Sequence, residues 1–488
     1  MSKNYNDPEL DQKPYVISEN VDFPYVLKTS PSSFDGSRNS VSIASSIFES
    51  SLKESEDSED VDRSRVTGVK QEKWWQTTIQ VSIPFFIAGI GTIAAGIILG
   101  NVEHWEVFQE VSELFILVPA LTGLKGNLDT TLASRLCTQA NLGNMISGKE
   151  IFHMALGNIA LVQVQATVAA FIVSLFSIGV GAIIKNTLRF NHITLLIASS
   201  MFTATSTCFV LDFILVFVIL LTKKFKANPD NMTAPLAASI GDVVSITVLS
   251  FISSHLFKIS GTQSWTTYMV IGAFCLLLPF WIMIVLRNRY TRSVLKTGWT
   301  PVLSALFISG TGGLVLERSV GEFSGYVVFQ PIINGIGGNL VSVHASKMAT
   351  LLHQSSLPGI IPPFTKIFQG PWKALFNGTP YAITARILIL MSIPGQFLFI
   401  FIADYIHQSR STIGIPFILT YLSFSSIQLM LLLFIAHILI HAMWRFKIDP
   451  DTASIPYLTA LGDLLGSSLL MAAFAFLRAI GNVYEEKL

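Results

Sequence analysis

Two carboxylates, Asp242 and Asp463, stand at the same place in a motif that occurs twice. Pro229-Asp230-x4-Pro235-x5-Gly241-Asp242 returns as Pro450-Asp451-x4-Pro456-x5-Gly462-Asp463, and each copy runs straight into an apolar stretch, 243–256 and 464–477. An acid at membrane depth costs roughly 2.5–3.5 kcal/mol on insertion scales, so it is rare there and signals function. Two acids at matched positions suggest a facing pair on a polar path, and two negative charges suit a divalent cation. A hard ion such as Mg²⁺ takes oxygen ligands in octahedral geometry and sheds its waters reluctantly, so the pair would hold it through those waters. Pro235 and Pro456 interrupt the early part of each helix. The carbonyls of Ala238 and Thr459, one turn before each acid, would then turn toward the ion, with the Ser239 hydroxyl beside them. The competing interpretation is an acid bonded between helices for packing alone, and the repetition weighs against it.

A second block is also duplicated. Pro119-x3-Gly123-x2-Gly126-Asn127-Leu128-x4-Ala133-Ser134-Arg135 matches Pro331-x3-Gly335-x2-Gly338-Asn339-Leu340-x4-Ala345-Ser346-Lys347. Its small residues allow close helix approach. Asn127, Asn334 and Asn339 can serve as neutral oxygen ligands or as packing amides, and both readings stand. Asp129 has no acidic counterpart, Val341 taking its place, and Asp212 interrupts an apolar run. The latter could join a second cation or proton path or simply pair with a neighbouring helix, and the pairing is the favoured reading. Arg135 and Lys347 are expected to snorkel at the inner face. His437 and His441, four apart, share a helix face at transition-metal spacing. With no third ligand in view, a hydrogen-bonded pair is the favoured reading. The three cysteines are expected to be small buried hydrophobes.

The elements that must position these groups are membrane helices. Charged residues make up 13% of the chain, hydrophobic residues 51%, and mean hydropathy is +0.56. A soluble chain carries about a quarter charged residues, so the composition points to an all-α polytopic membrane protein. The net charge of +1 gives no reason to expect a nucleic-acid partner. A hydrocarbon core of about 30 Å needs about 20 apolar residues per crossing. Eleven stretches qualify: 79–100, 114–141, 157–184, 194–222, 234–257, 265–286, 298–317, 326–352, 381–403, 415–442 and 454–480. The second and eighth, rich in Gly and Asn, should face protein or water rather than lipid. Pro84 and Gly91-Thr92 of the first stretch match Pro301 and Gly310-Thr311 of the seventh. The chain therefore reads as a disordered acidic, Ser-rich cytosolic tail (1–75) and a five-helix repeat (76–260). A linking helix and basic loop (261–297) lead to a second repeat (298–488). One extra helix between two five-helix units makes the repeats parallel, related by a pseudo-two-fold along the membrane normal. Lys and Arg crowd the loops on the tail's side, twelve against five, which places the N-terminus in the cytosol and the C-terminus outside. The run Glu54-Ser55-Glu56-Asp57-Ser58-Glu59-Asp60 would suit an acid-directed cytosolic kinase or regulator, although a plain solvated tail explains it as well.

Two membrane aspartates also occur in intramembrane aspartyl proteases. Those enzymes need Tyr-Asp, Gly-x-Gly-Asp and a later Pro-Ala-Leu. Here the sequences are Ser239-Ile-Gly-Asp and Ala460-Leu-Gly-Asp, and Pro119-Ala120-Leu121 precedes both, so an enzyme is not expected. Val118-Pro-Ala-Leu-Thr-Gly-Leu-Lys-Gly-Asn-Leu, Thr131-Leu-Ala-Ser-Arg, Gln165-Ala-Thr-Val and Ala234-Pro-Leu-Ala-Ala-Ser-Ile-Gly-Asp resemble the first half of solute carrier family 41. Ile333-Asn-Gly-Ile-Gly-Gly-Asn-Leu-Val and Ser454-Ile-Pro-Tyr-Leu-Thr-Ala-Leu-Gly-Asp-Leu-Leu-Gly resemble its second half. The resemblance covers residues 76 to about 480. It implies a Mg²⁺ transporter of the plasma membrane built from two MgtE-like pore domains, with Asp242 and Asp463 where the family's pore aspartates fall. It also brings in Na⁺ as a coupling ion, although no residue here identifies a Na⁺ site. His344 stands where the family pattern leads one to expect Gln. A membrane scaffold that senses Mg²⁺ without moving it is the alternative.

The orientation is testable. Asn231-Met-Thr and Asn377-Gly-Thr are glycosylation sequons that both fall on the inner side. Glycosidase treatment of cell-expressed protein should leave its gel mobility unchanged; a glycan on either asparagine reverses the assignment.

Overall fold

The computed structural model describes residues 74–141, 145, 147–185, 189–224, 230–260, 265–377, 379–482 and 484. The acidic tail and its expected regulator fall outside them. The described residues form fourteen helices and no strand. In order they are α1 (Trp74–Val102), α2 (Glu106–Glu110), α3 (Glu113–Asn141), α4 (Gly148–Lys185), α5 (Phe190–Lys224), α6 (Asp230–Ser260) and α7 (Trp265–Arg287). There follow α8 (Val294–Thr297), α9 (Trp299–Val320), α10 (Tyr326–Ser355), α11 (Pro371–Leu375), α12 (Ala382–Gln408), α13 (Ile415–Arg445) and α14 (Pro450–Ala479). Helices are what such a sequence must form in lipid, because each satisfies its own backbone donors and acceptors. Each of the eleven apolar stretches coincides with one long helix.

Nine of these helices are long and apolar enough to cross a membrane: α1, α4, α5, α6, α7, α9, α12, α13 and α14. α3 and α10 fall short in hydropathy, and their position explains it. Neither has a large exposed hydrophobic side chain among its described residues, whereas α4, α5, α7 and α12 carry many. The two polar, glycine-bearing helices are interior, enclosed by the apolar ones. α7 is the opposite case, with only 6% of its apolar window buried, so it lies at the rim. Cys275 on α7 is therefore exposed rather than buried, while Cys208 on α5 is buried as expected.

The first helix of each half docks on the other half. α1 lies against α6, α10 and α12, and α9 lies against α14, α3 and α4. Glycines permit both crossings. A methyl group on Gly96 of α1 would overlap the Val328 carbonyl of α10, and one on Gly313 of α9 would overlap the Ile116 carbonyl of α3. Gly325, which opens α10, has φ 73° and abuts the Tyr484 ring, so only glycine suits that turn.

Gly96→Val and Gly313→Val should each destabilise the fold by about 1–3 kcal/mol or more, because the obstacle is backbone rather than a yielding side chain. Thermal unfolding in detergent measures this. Gly272→Ala on α7, with nothing within 4 Å, should leave the transition unchanged.

Candidate functional site

Each acid of the repeated motif meets the glycine block of the opposite half. On α14, Asp463 Oδ2 accepts a hydrogen bond from Ser309 Oγ of α9 at 2.8 Å. That oxygen lies 3.0 Å from where a Cβ on Gly123 of α3 would stand. On α6, Asp242 Oδ2 lies 3.9 Å from the Cβ position of Gly335 on α10, where the Thr92 methyl of α1 also packs. Both aspartates are partly exposed rather than sealed, and Asp463 lies within electrostatic reach of Asp242. Glycine at 123 is therefore required by the Asp463 carboxylate and its Ser309 partner, and glycine at 335 by the Thr92 methyl.

The same contacts correct one sequence match. Thr92 and Ser309, not Thr92 and Thr311, hold corresponding places beside the glycine blocks. This is the register set by Pro84 and Pro301. The Thr311 hydroxyl turns back to the Ile308 carbonyl at 2.6 Å. The Gly-Thr pairing is thus two residues out of step, and Ser309 is a site residue that motif reading missed.

The other expected ligands divide. Asn127 is 2% exposed, and its Oδ1 accepts from the Thr459 hydroxyl at 2.9 Å, tying α3 to α14 one turn before Asp463. α14 is unbroken through Pro456, so Thr459 meets its neighbours through its hydroxyl rather than through a freed carbonyl. Ala238 and Ser239 lie within α6, with side chains outside the described set. Asn334 donates to Ser467 Oγ at 3.1 Å, beside Gln330 at 3.2 Å, and so braces α10 against α14 one turn beyond Asp463. Asn339 is half-buried on α10. Gln428 of α13 donates to the Gly462 carbonyl at 3.1 Å, fixing the backbone next to Asp463.

A buried ionic cluster flanks the first acid. Lys125 Nζ lies 3.1 Å from Asp129 Oδ2, one helical turn away on α3, with both side chains almost wholly enclosed. Asp212 of α5, also 0% exposed, feels the charges of Asp129, Arg135 and Lys125. Arg135 does not snorkel outward; it is half-buried and donates to Asn158 Oδ1 at 2.8 Å. The signal for Lys125 was present in the sequence: it replaces the Gly337 of the second block.

The histidines form a hydrogen-bonded knot. Tyr381 OH meets His437 Nδ1 and His441 Nε2, each at 3.1 Å; His437 Nε2 meets the Lys366 carbonyl at 3.0 Å, and His441 Nδ1 the His437 carbonyl at 2.7 Å. With every nitrogen of the pair engaged, no lone pair is left for a metal, and the transition-metal reading falls. No group of three or more His, Cys, Asp or Glu suited to a metal occurs among the described residues.

An interior pair of acids within a bundle of apolar helices is compatible with an ion-translocating membrane protein. Comparison with known proteins makes this specific. The family MgtE, divalent cation transporter, matches residues 118–252 and 330–473. Solute carrier family 41 member 2 of Homo sapiens is 43% identical over 406 residues, covering 83% of this chain and 71% of the human one. The same member from Xenopus laevis is 39% identical over 455 residues, 92% of this chain and 81% of the relative. Solute carrier family 41 member 3 of Rattus norvegicus is 37% identical over 424 residues, 86% of this chain and 92% of the relative. No solved structure matches. The chain belongs to the MgtE family of divalent cation transporters, within solute carrier family 41. It is accordingly a transporter and not an enzyme.

Ser309→Ala should raise the half-saturating concentration of transported divalent ion about fivefold, the worth of one lost hydrogen bond of about 1 kcal/mol. Thr311→Ala should leave it unchanged. Concentration-dependent flux in proteoliposomes measures both.

Proposed function

We propose that the chain carries Mg²⁺ across the plasma membrane along a path between two pseudo-symmetric repeats, 76–260 and 298–488, joined by a linking segment, 261–297. Asp242 and Asp463 are the central ligands. The observation that carries the reading is reciprocal: each acid faces the glycine block of the other half, at 3.0 Å and 3.9 Å from the Cβ positions of Gly123 and Gly335. Reciprocal docking of α1 and α9 and the paired family matches support the duplication. α3 and α10 then complete eleven spans; about 43 Å of helix in 29 residues exceeds a hydrocarbon core of about 30 Å. Their low hydropathy fits a place beside the ion. The basic loops set the tail and its regulator, if one docks there, on the cytosolic face.

Two carboxylates balance the charge of one Mg²⁺, and an ion that dehydrates reluctantly keeps its waters between them. Ser309 holds Asp463 in one rotamer. Asn127, with Asn339 at the matching position, offers neutral oxygen close by, and Thr459 fixes the Asn127 amide. Ala238 and Ser239 occupy in α6 the turn that Thr459 occupies in α14. Asn334 acts by positioning α14 through Ser467.

Asp242→Asn and Asp463→Asn should each abolish Mg²⁺ flux into liposomes while the protein still folds and inserts. Running the assay with and without a Na⁺ gradient separates coupled from uncoupled movement. Ion binding without flux in the parent protein would favour a sensing scaffold instead, and flux surviving the double substitution would remove the dyad from the path.

A further inference from the structure

The two acids are alike in sequence but not in surroundings. Asp463 is met by the neutral Ser309 hydroxyl at 2.8 Å. Asp242 has a charged neighbour: Lys125 of α3 places its ammonium against the backbone of Gly241, the residue before the acid, where a methyl group would overlap Nζ. Lys125 also lies within electrostatic reach of Asp242. The lysine side chain is 1% exposed, and its ion-pair partner Asp129, 3.1 Å away, is 0% exposed. The second half has neither member of this pair, since Gly337 and Val341 hold their positions in the duplicated block. Around the site lie two basic side chains (Lys125, Arg135) and four carboxyl groups (Asp129, Asp212, Asp242, Asp463).

We propose that Lys125 is a tethered cation of the transport path, its ammonium moving between Asp129 and Asp242 and standing in for the divalent ion once that ion has left. The inference rests on Asp242 being a pore ligand. A lysine suits the task because its charge sits on a flexible four-carbon stem, and an ammonium within a few ångströms of a carboxylate in a poorly hydrated interior competes strongly with an incoming cation. When the ion arrives, Lys125 withdraws to Asp129. When the ion departs, Lys125 returns and prevents Asp242 from holding the next ion too tightly. Asp129 is then the resting place of the lysine rather than a second ion ligand. Glycine at 241 is needed because any side chain there would block the approach.

The test uses the full-length protein in phosphatidylcholine liposomes, with Mg²⁺ entry read by a trapped fluorescent indicator. Asp129→Asn deprives the ammonium of its resting place and leaves it on Asp242, so the half-saturating Mg²⁺ concentration should rise roughly tenfold. The double variant Lys125→Met with Asp129→Asn removes the competitor without changing net charge, so that concentration should fall below the parent's by a similar factor while maximal flux slows. Should the double variant fail to fold in a thermal-unfolding assay, Gly241→Ala, which displaces the ammonium and removes no charge, carries the same expectation of tighter Mg²⁺. Shifts in one direction, or no shift, with Asp242→Asn still inactive, would overturn the tethered-cation role and leave a packing ion pair. Activity retained by Asp242→Asn would instead sink the pore assignment beneath it.

Discussion

A carboxylate inside an apolar bundle must be answered by a donor, a cation or water, and the central architecture follows from that demand. Burial of an unpaired charge costs several kcal/mol, far more than any single packing contact returns. Asp463 has the Ser309 hydroxyl at 2.8 Å, and Asp242 has the field of Lys125. Each acid thus has its own partner, one neutral and one cationic.

Small residues make this arrangement possible. α3 and α10 combine glycine, asparagine and serine in a membrane setting where a large apolar residue would otherwise be expected. Gly123 and Gly335 leave room for carboxylates from the opposite half, and Gly96 and Gly313 let α1 and α9 cross the backbones of α10 and α3. With Cβ atoms at these positions Asp463 could not approach α3 so closely, and α1 and α9 could not cross the backbones of α10 and α3. Close approach and charge are thus linked: Gly123 serves both the helix crossing and the approach of Asp463.

Much of this was legible in the residues. Long apolar runs fixed the helices because backbone satisfaction in lipid leaves no alternative, and the proline and glycine spacing marked α3 and α10 as polar partners. The recurrence of Gly-Asp located the acids. What escaped was side-chain direction. Ser309 belongs to no repeated pair, and the neighbouring Gly-Thr match drew attention to Thr311, whose hydroxyl turns back on its own helix at 2.6 Å. Asn334 read as a ligand by type, and the motif did not show that its Nδ2 also donates to Ser467 at 3.1 Å. Lys125 was read within a motif rather than as a charge; its burial against Asp129 is what marks it as one.

The divergence between the halves has a physical consequence that duplication alone does not supply. Two identical acids related by a two-fold axis would offer an ion equal wells on either side. Here one side carries Lys125 and Asp129, while the other carries Gly337, Val341 and the brace of Gln330, Asn334 and Gln428 around Gly462 and Ser467. The second acid is thereby held by neutral hydrogen bonds on a rigid backbone, and the first sits beside a charge on a flexible stem. A rigid neutral environment keeps its affinity whatever the state of the gap. A mobile charge changes affinity as it moves, and it does so on one side only. The proposed duplication within one chain would permit this, because a symmetric dimer of identical subunits would place the same lysine beside both acids.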